Sequence, residues 1–413
     1  MLRVIKEREV SNEGFCIDGR IELIQQLIPL GLEAVRDVLE QEVTRLVGER
    51  YRHSSSEHTR WGNNRGSVHL GGQKLAIEVP RVRNKANGKE VALESYSRLQ
   101  DKTQFNEEVF RHVINGISSR KYQKVAEQIP ETFGIKKSSV SREFKIATTN
   151  KLKELFERDL SKEDIIAIFI DGKSLRGVQV MIALGVTMEG KKIPLGFIET
   201  ATENAKVCSD FITGIIDRGL NVEQEILFVV DGSKGISKAI RKSIGNKAVI
   251  QRCQWHKREN IVSYLPKSLE AEFRRKLQVA YEQDTYSKAK KRLAIIRKEL
   301  VLINQDAANS LDEGLEETLT LHRLGVFTKM GRSFKTTNCI ENLNRTVEQY
   351  VGRVCNWKNS DQRRRWVASA LLEIEKTFAL VEGYKQLPLL RLAMKTTNLN
   401  NESNTQFDNK LAA

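Results

Sequence analysis

IIAIFIDGKSLRG (165–177) carries an apolar segment directly into Asp171 and Gly172, and ILFVVDGSKG (226–235) repeats the move at Asp231 and Gly232. Short, uninterrupted apolar runs of this kind read as strands buried on both faces. Each run delivers an aspartate at its end. Asp-Gly is a favoured hairpin dipeptide, so local turn chemistry is one reading. A pair of carboxylates brought together in space is the other. Asp231 precedes SKGISKAIRKSIG, a helical pattern, so a hairpin does not explain it. In an open α/β sheet, functional groups gather at the carboxyl ends of strands. Asp171 stays open between the two readings, because its Asp-Gly is followed by another strand.

Working outward, DIIAIFID, GVQVMIALGVT and KKIPLGFIET read as three consecutive strands. A helix is expected over 203–219, then the strand EILFVVD, a helix, and the short strand KAVIQ. Strands in hairpin order followed by helix–strand–helix–strand make a mixed α/β sheet with helices on its faces. Residues 257–325 change texture to charged helical segments with almost no strand signal, and read as a helical insertion. Upstream, IELIQQLIPLGLEAVRDVLEQEVTRLVG is an amphipathic helix, followed by a cation-rich β segment around KLAIEVPRV. Residues 396–413 are asparagine-rich and read as a flexible tail.

The chain has 413 residues, enough for two or three domains, and 40% apolar content excludes wholesale disorder. Lys and Arg number 68 against 53 Asp and Glu, a formal +15, which favours a polyanionic partner over an ordinary metabolic role. A solvated basic surface is the competing explanation. No apolar run is long enough for a membrane span and no signal-peptide core is present, so a cytosolic location is expected. The five cysteines (16, 208, 253, 339, 355) are odd in number and scattered, so reduced thiols are expected.

Residues 105–150 suggest DNA binding. SSRKYQKVAEQIPETFGIKKSSVSREFKIAT divides into a helix near 119–132, a turn at Gly134 and a second helix from Ser138 or Ser139. That is a helix-turn-helix layout, presenting Lys137, Ser138, Ser139, Ser141 and Arg142 at the end that enters a major groove. Two ordinary packed helices fit the same pattern; the +15 balance favours DNA, with Arg120 an additional candidate contact. A second basic cluster, DQRRRW, contains Arg363, Arg364 and Arg365. It fits a solvated helix face or a phosphate-tracking one. Trp255, Trp357 and Trp366 are candidates to stack on an unpaired base, against the commoner core role.

Two carboxylates make half a hard-cation site, and Glu341 in TTNCIENLNRTVEQYVGRV is the candidate third. It sits in the first turn of a helix whose apolar face is Ile340, Leu343, Val347 and Val351. A capping box between Asn338 and Glu341 is the competing role. Cys253 and His256 have C-x-x-H spacing, but a zinc site needs four ligands and no second pair stands near in sequence. GVTMEGKK (185–192) nearly matches a P-loop. It ends in Lys192 where a hydroxyl is required, and it joins two strands instead of opening a helix, so no nucleotide cofactor is expected.

Taken together, the strand bearing Asp171, VVDGSKGISKAI, QRCQWHKRENI and TTNCIENLNR resemble the Mutator-type (DDE) transposases of bacterial insertion sequences. The likeness runs from about residue 75 to 385, including IEVPRVRN, GISSRKYQKVAE and NWKNSDQRRRWVASALLEIE. It implies an RNase H-like catalytic domain over 160–395, interrupted by the 257–325 insertion. The mainly helical regions 1–104 and 105–150 before it would contact DNA. It further implies that Asp171, Asp231 and Glu341 hold two Mg²⁺ or Mn²⁺ ions; from the Asp-Gly dipeptide itself, Gly172 is expected to turn the chain beside the first. The implied activity is binding of the element's terminal inverted repeats, then strand cleavage and transfer into target DNA. A homodimer on paired ends in the bacterial cytoplasm, associated with the nucleoid, is expected. The C-x-x-H pair is a family mark with a structural or DNA-orienting role. The tryptophan usual in the helix after the third strand is missing here, where ETATENAKVCSD stands. The competing functional readings are a domesticated, non-catalytic DNA-binding regulator and another RNase H-like nuclease.

Overall fold

The computed structural model describes residues 17–52, 57–70, 73–100, 110, 111, 113, 114, 137–175, 177–200, 205–352, 354, 357 and 359–397. The chain is mixed α/β, with two sheets, neither closed into a barrel, and helices packed beside them. It divides into two compact units, Met1–Thr148 and Thr149–Ala413.

In the first unit, helix α1 (Ile17–Val47) lies on a sheet of order β1-β2-β3. Strands β1 (His58–Leu70) and β2 (Gln73–Asn84) form a long antiparallel hairpin, and β3 (Glu90–Val91) adds to β2. Four-residue spacing puts Val35, Leu39 and Val43 on one face of α1, against Val68, Leu75, Ile77, Val79 and Val82. Helix α2 (Glu94–Leu99) is capped by the Glu42 carboxylate, which accepts from the main-chain N–H groups of Glu94 (2.7 Å) and Ser95 (3.0 Å). The hairpin is longer and more regular than the short β segment expected there. Of the anticipated helix-turn-helix, the first helix and turn lie outside the described residues. The second is present as α3 (Lys137–Phe156), which begins in this unit.

The second unit is built on a five-stranded sheet of order β6-β5-β4-β7-β8. Strands β4 (Ile165–Leu175), β5 (Val178–Thr187) and β6 (Lys192–Thr200) form an antiparallel meander. Strands β7 (Ile226–Val230) and β8 (Ala248–Arg252) run parallel to β4. A parallel pair needs a crossover, and α5 (Lys234–Ile244) supplies it. Asp171 and Gly172 do not turn the chain. They pair in register with Ile182 and Met181 inside the β4–β5 ladder, and the reversal comes five residues later at Gly177, with φ +82°. A glycine tolerates that left-handed backbone, so the turn moved to where one was available.

Both faces of this sheet are covered, which is why its central strands read as continuous apolar runs. On one face, Ile168, Ile170, Phe228 and Val230 pack against α4 (Ala205–Ile216) and α5. On the other, Ala167, Phe169, Leu227 and Val229 meet α12 (Phe327–Phe334), α13 (Asn338–Val351) and α14 (Ser360–Glu375). Each fully buried Val, Leu, Ile or Phe side chain among these contributes about 1.5–3 kcal/mol.

Between β8 and α13 the described elements are all helical: α6 (Gln254–Val262), α7 (Lys267–Tyr281), α8 (Tyr286–Ile303), α9 (Gln305–Asp312), the short α10 (Leu315–Thr318) and α11 (Thr320–Arg323), then α12. Helices α6–α9 close their own apolar cluster, running from Ile261 to Leu319 and including Phe273, Leu293 and Leu311. A last helical stretch covers 387–397, so the expected tail at 396 begins inside it and otherwise lies outside the described residues.

Candidate active site

The β4–β7 register aligns Ile170 with Val230, so Asp171 and Asp231 are the next residues on neighbouring strands. Adjacent strands lie ~4.8 Å apart and side chains alternate between faces. Phe169 points into the core beneath α13, and two residues on along the same strand Asp171 is directed to that face, while Asp231 is the residue that follows the end of β7. Asp171 is buried, and its Oδ2 accepts a 2.8 Å hydrogen bond from Nδ2 of Asn344 on α13. Asp231 Oδ1 accepts from the main-chain N–H of Ser233 at 2.9 Å, which fixes the loop into α5.

Glu341 stands in the first turn of α13, and the competing capping box is absent. The N-cap is Thr337, Asn338 is already helical, and no side chain caps the helix start. Instead the Thr337 hydroxyl donates to Glu341 Oε1 at 2.5 Å. Asp231 and Glu341, 60 and 170 residues further along the chain, both act by their charge on Asp171. Burial, joined by the charges of Asp231 and Glu341, lifts the Asp171 carboxyl to about 6 against the opposing pull of His256 and the Asn344 amide. Keeping Asp171 ionised at neutral pH costs the fold about 3 kcal/mol. Among these groups only His256 is cationic.

All-oxygen donors of this kind suit a hard divalent cation. The buried Asn344 Oδ1, which has no hydrogen-bond partner, adds another such donor beside them. The fit is one of chemistry. Among the described residues no three His, Cys, Asp or Glu side chains converge closely enough to hold a metal ion.

Cys253 and His256 flank this arrangement. Cys253 is fully buried at the N-cap of α6, and its N–H donates to the Val230 carbonyl at 2.7 Å, one residue before Asp231. His256 is pushed up to about 9: its hydrogen bond to Cys253 and the charges of Cys253, Glu341 and Asp171 outweigh burial. Burial raises the Cys253 thiol, but the bonds from His256 and Thr337 leave it below its ordinary value. On the other side, Arg252 lies against Gly232, where an added Cβ would stand 2.0 Å from Nε. Its Nη1 and the buried Lys257 ammonium both donate to the Glu313 carbonyl, at 3.0 and 2.5 Å.

The expected DNA contacts are spread differently. Arg120 lies outside the described residues. Lys137 and Ser139 open α3, with side chains that are not described, and Arg142 is exposed, 3.3 Å from Glu143. Arg363 makes a two-pronged bond to Glu199 (3.0 and 2.9 Å), Arg365 is buried with Asp361 at 3.1 Å, and Arg364 is exposed, 5.5 Å from the Phe156 ring centre. Trp366 is buried and Trp357 half-buried; of the three tryptophans considered, Trp255 is the exposed one, at 44%. Asn344 and Thr337 escaped the sequence reading. A polar residue inside the stripe Ile340–Leu343–Val347, one turn beyond Glu341, was the available signal for Asn344.

The chain belongs to the Mutator family of transposases, whose family model matches residues 11–379. Among its relatives is the transposase for insertion sequence element IS256 in transposon Tn4001 from Staphylococcus aureus. It is 26% identical over 321 residues, covering 73% of this chain and 77% of the relative. The transposase for element IS905 from Lactococcus lactis is 25% identical over 358 residues, covering 81% and 85%. That for element ISRM5 from Rhizobium meliloti is 25% identical over 398 residues, covering 92% and 97%. Among the described residues, no helix is long and apolar enough to cross a membrane.

Proposed function

We propose that this transposase binds the terminal inverted repeats of its own insertion sequence and cuts and joins DNA strands with Asp171, Asp231 and Glu341. The observation that carries the reading is the electrostatic meeting of these three carboxylates at one end of the sheet, on a buried Asp171. A buried carboxylate held beside two further acids without a paired arginine or lysine is costly, and such cost concentrates at functional sites. The strand order, with a three-stranded meander followed by two parallel strands, supports an RNase H-like domain, and the separately cored helices after β8 support an insertion within it.

Bound divalent ions, two by this reading, would supply Lewis-acid activation of the attacking oxygen and stabilisation of the leaving 3′ oxygen. The three carboxylates would hold them, Asn344 orients Asp171, and burial excludes competing water from that oxygen. No nucleotide cofactor enters. In a groove of about 700 Å³ between α7 and α8, Arg275, Lys291 and Arg292 stand beside Val279, Ile295, Ile296 and Glu299, and these cations would meet DNA phosphates. Pairing of two ends calls for a dimer.

The test uses full-length protein and duplexes carrying the repeats that bracket the gene. Asp171→Asn, Asp231→Asn and Glu341→Gln are each expected to lose Mg²⁺- or Mn²⁺-dependent nicking while still binding the ends, and EDTA should stop the wild type. Wild-type cleavage by any variant removes that residue from the triad.

A further inference from the structure

We infer that Thr337 is a positioning residue for Glu341, and that its hydroxyl links Glu341 to the Cys253–His256 pair. The inference rests on the reading of Glu341 as a member of the acidic triad.

Three groups surround Thr337 Oγ1: Glu341 Oε1 at 2.5 Å, His256 Nδ1 at 3.3 Å and Cys253 Sγ at 3.4 Å. A hydroxyl has a single hydrogen to donate and two lone pairs to accept with. A carboxylate can only accept, and a short O–H···O⁻ bond is the strongest of the three contacts. The hydrogen therefore goes to Glu341. The hydroxyl oxygen then faces His256 Nδ1 as an acceptor, while Cys253 Sγ, at 3.4 Å, takes a minor share of the same hydrogen, so the order of donation runs from His256 to Thr337 to Glu341.

Position favours the same order. Thr337 and Cys253 are both fully buried, so water does not compete for the hydroxyl. Cys253 is tied through its main chain to Val230, the residue before Asp231, so the framework that orients Glu341 is anchored at the neighbouring aspartate's strand. Thr337 makes no side-chain cap bond, which removes helix capping as its role. Glu341 Oε1 is engaged and Oε2 is left for a ligand. A hydroxyl of this kind behind an ion-binding carboxylate typically changes ion affinity about 10–100-fold when removed.

The experiment titrates full-length protein with Mn²⁺ alone, reading free ion by electron paramagnetic resonance, with no DNA present. Thr337→Val, equal in size, should weaken binding at least ~10-fold, and Thr337→Ser should recover most of it. Thr337→Ala should weaken binding as Thr337→Val does, because both remove the hydroxyl and leave every charge in place. Should Thr337→Val fail to fold, Thr337→Ala against Thr337→Ser carries the test. Unchanged or tighter binding by Thr337→Val, with binding lost in Asp171→Asn, overturns the positioning role and leaves the triad standing. Unchanged binding by Asp171→Asn overturns the triad as an ion site, and this inference with it.

Discussion

Asn344 and Asp171 meet across 173 residues of sequence, the amide donating to the carboxylate at 2.8 Å in a fully packed interface between α13 and β4. The bond fixes one oxygen of Asp171 and marks where the distant helix must sit. Leaving a buried acceptor without its donor costs about 1–3 kcal/mol. Asn344→Leu should lower stability by that amount at pH 7 in chemical denaturation, and should raise the Asp171 pKa further. In an Asp171→Leu background the same change should cost much less, because no carboxylate is then left without its partner.

Gly232 follows Asp231 with φ +107°, and an added Cβ would stand 2.0 Å from Arg252 Nε and 2.5 Å from Cζ. Backbone strain and overpacking each cost about 1–3 kcal/mol. Gly232→Ala should therefore lower stability by several times the thermal energy and displace the Asp231 loop. Thermal unfolding by circular dichroism and the loss of nicking check both parts.

Lys257 is fully buried, and its ammonium is brought down to about 8 by burial and by Arg252, against the pull of Glu313, Asp312 and Glu317. The folded pKa lies below the unfolded 10.5, so the unfolded chain binds more protons between these values. Stability should accordingly rise as pH climbs from about 8 towards 10.5. Lys257→Met should stabilise the protein by about 1–3 kcal/mol at pH 7. The Glu313 carbonyl keeps its bond from Arg252. Denaturation at pH 7 and pH 10 should show the advantage of the variant shrinking with pH; a constant difference would remove the titration as its cause.

Arg363 and Glu199 are both mostly buried, with side-chain exposures of 15% and 13%. Arg363→Ala should cost about 1–3 kcal/mol of stability, between the values for exposed and buried pairs. It should leave the salt dependence of end binding unchanged. Arg364, which is exposed and makes no ion pair among the described residues, is the member of DQRRRW whose removal should reduce that slope. Filter binding across a salt series separates the two.

Much of this was legible along the chain. Uninterrupted apolar runs announced β4 and β7, because strands covered on both faces need apolar residues at every position. The i, i+3, i+4, i+7 stripe from Ile340 announced α13 for the corresponding helical reason. The Asp-Gly at 171 misled, since a dipeptide favoured in turns is also accepted inside a ladder whose neighbours supply the pairing. Arg363 likewise read as a free cation, because its partner Glu199 is 164 residues away.

What the amino-acid sequence determined by itself was periodicity: which segments are strands and helices, and that Asp231 ends one of them. Which face an aspartate joins follows from register, and register is set between strands. Only the tertiary structure aligned Ile170 with Val230, set α13 over both, and put Thr337 between Glu341 and the Cys253–His256 pair. The reason is physical. Local propensity acts over a few residues, whereas a carboxylate's partner is chosen by the packing that buries it.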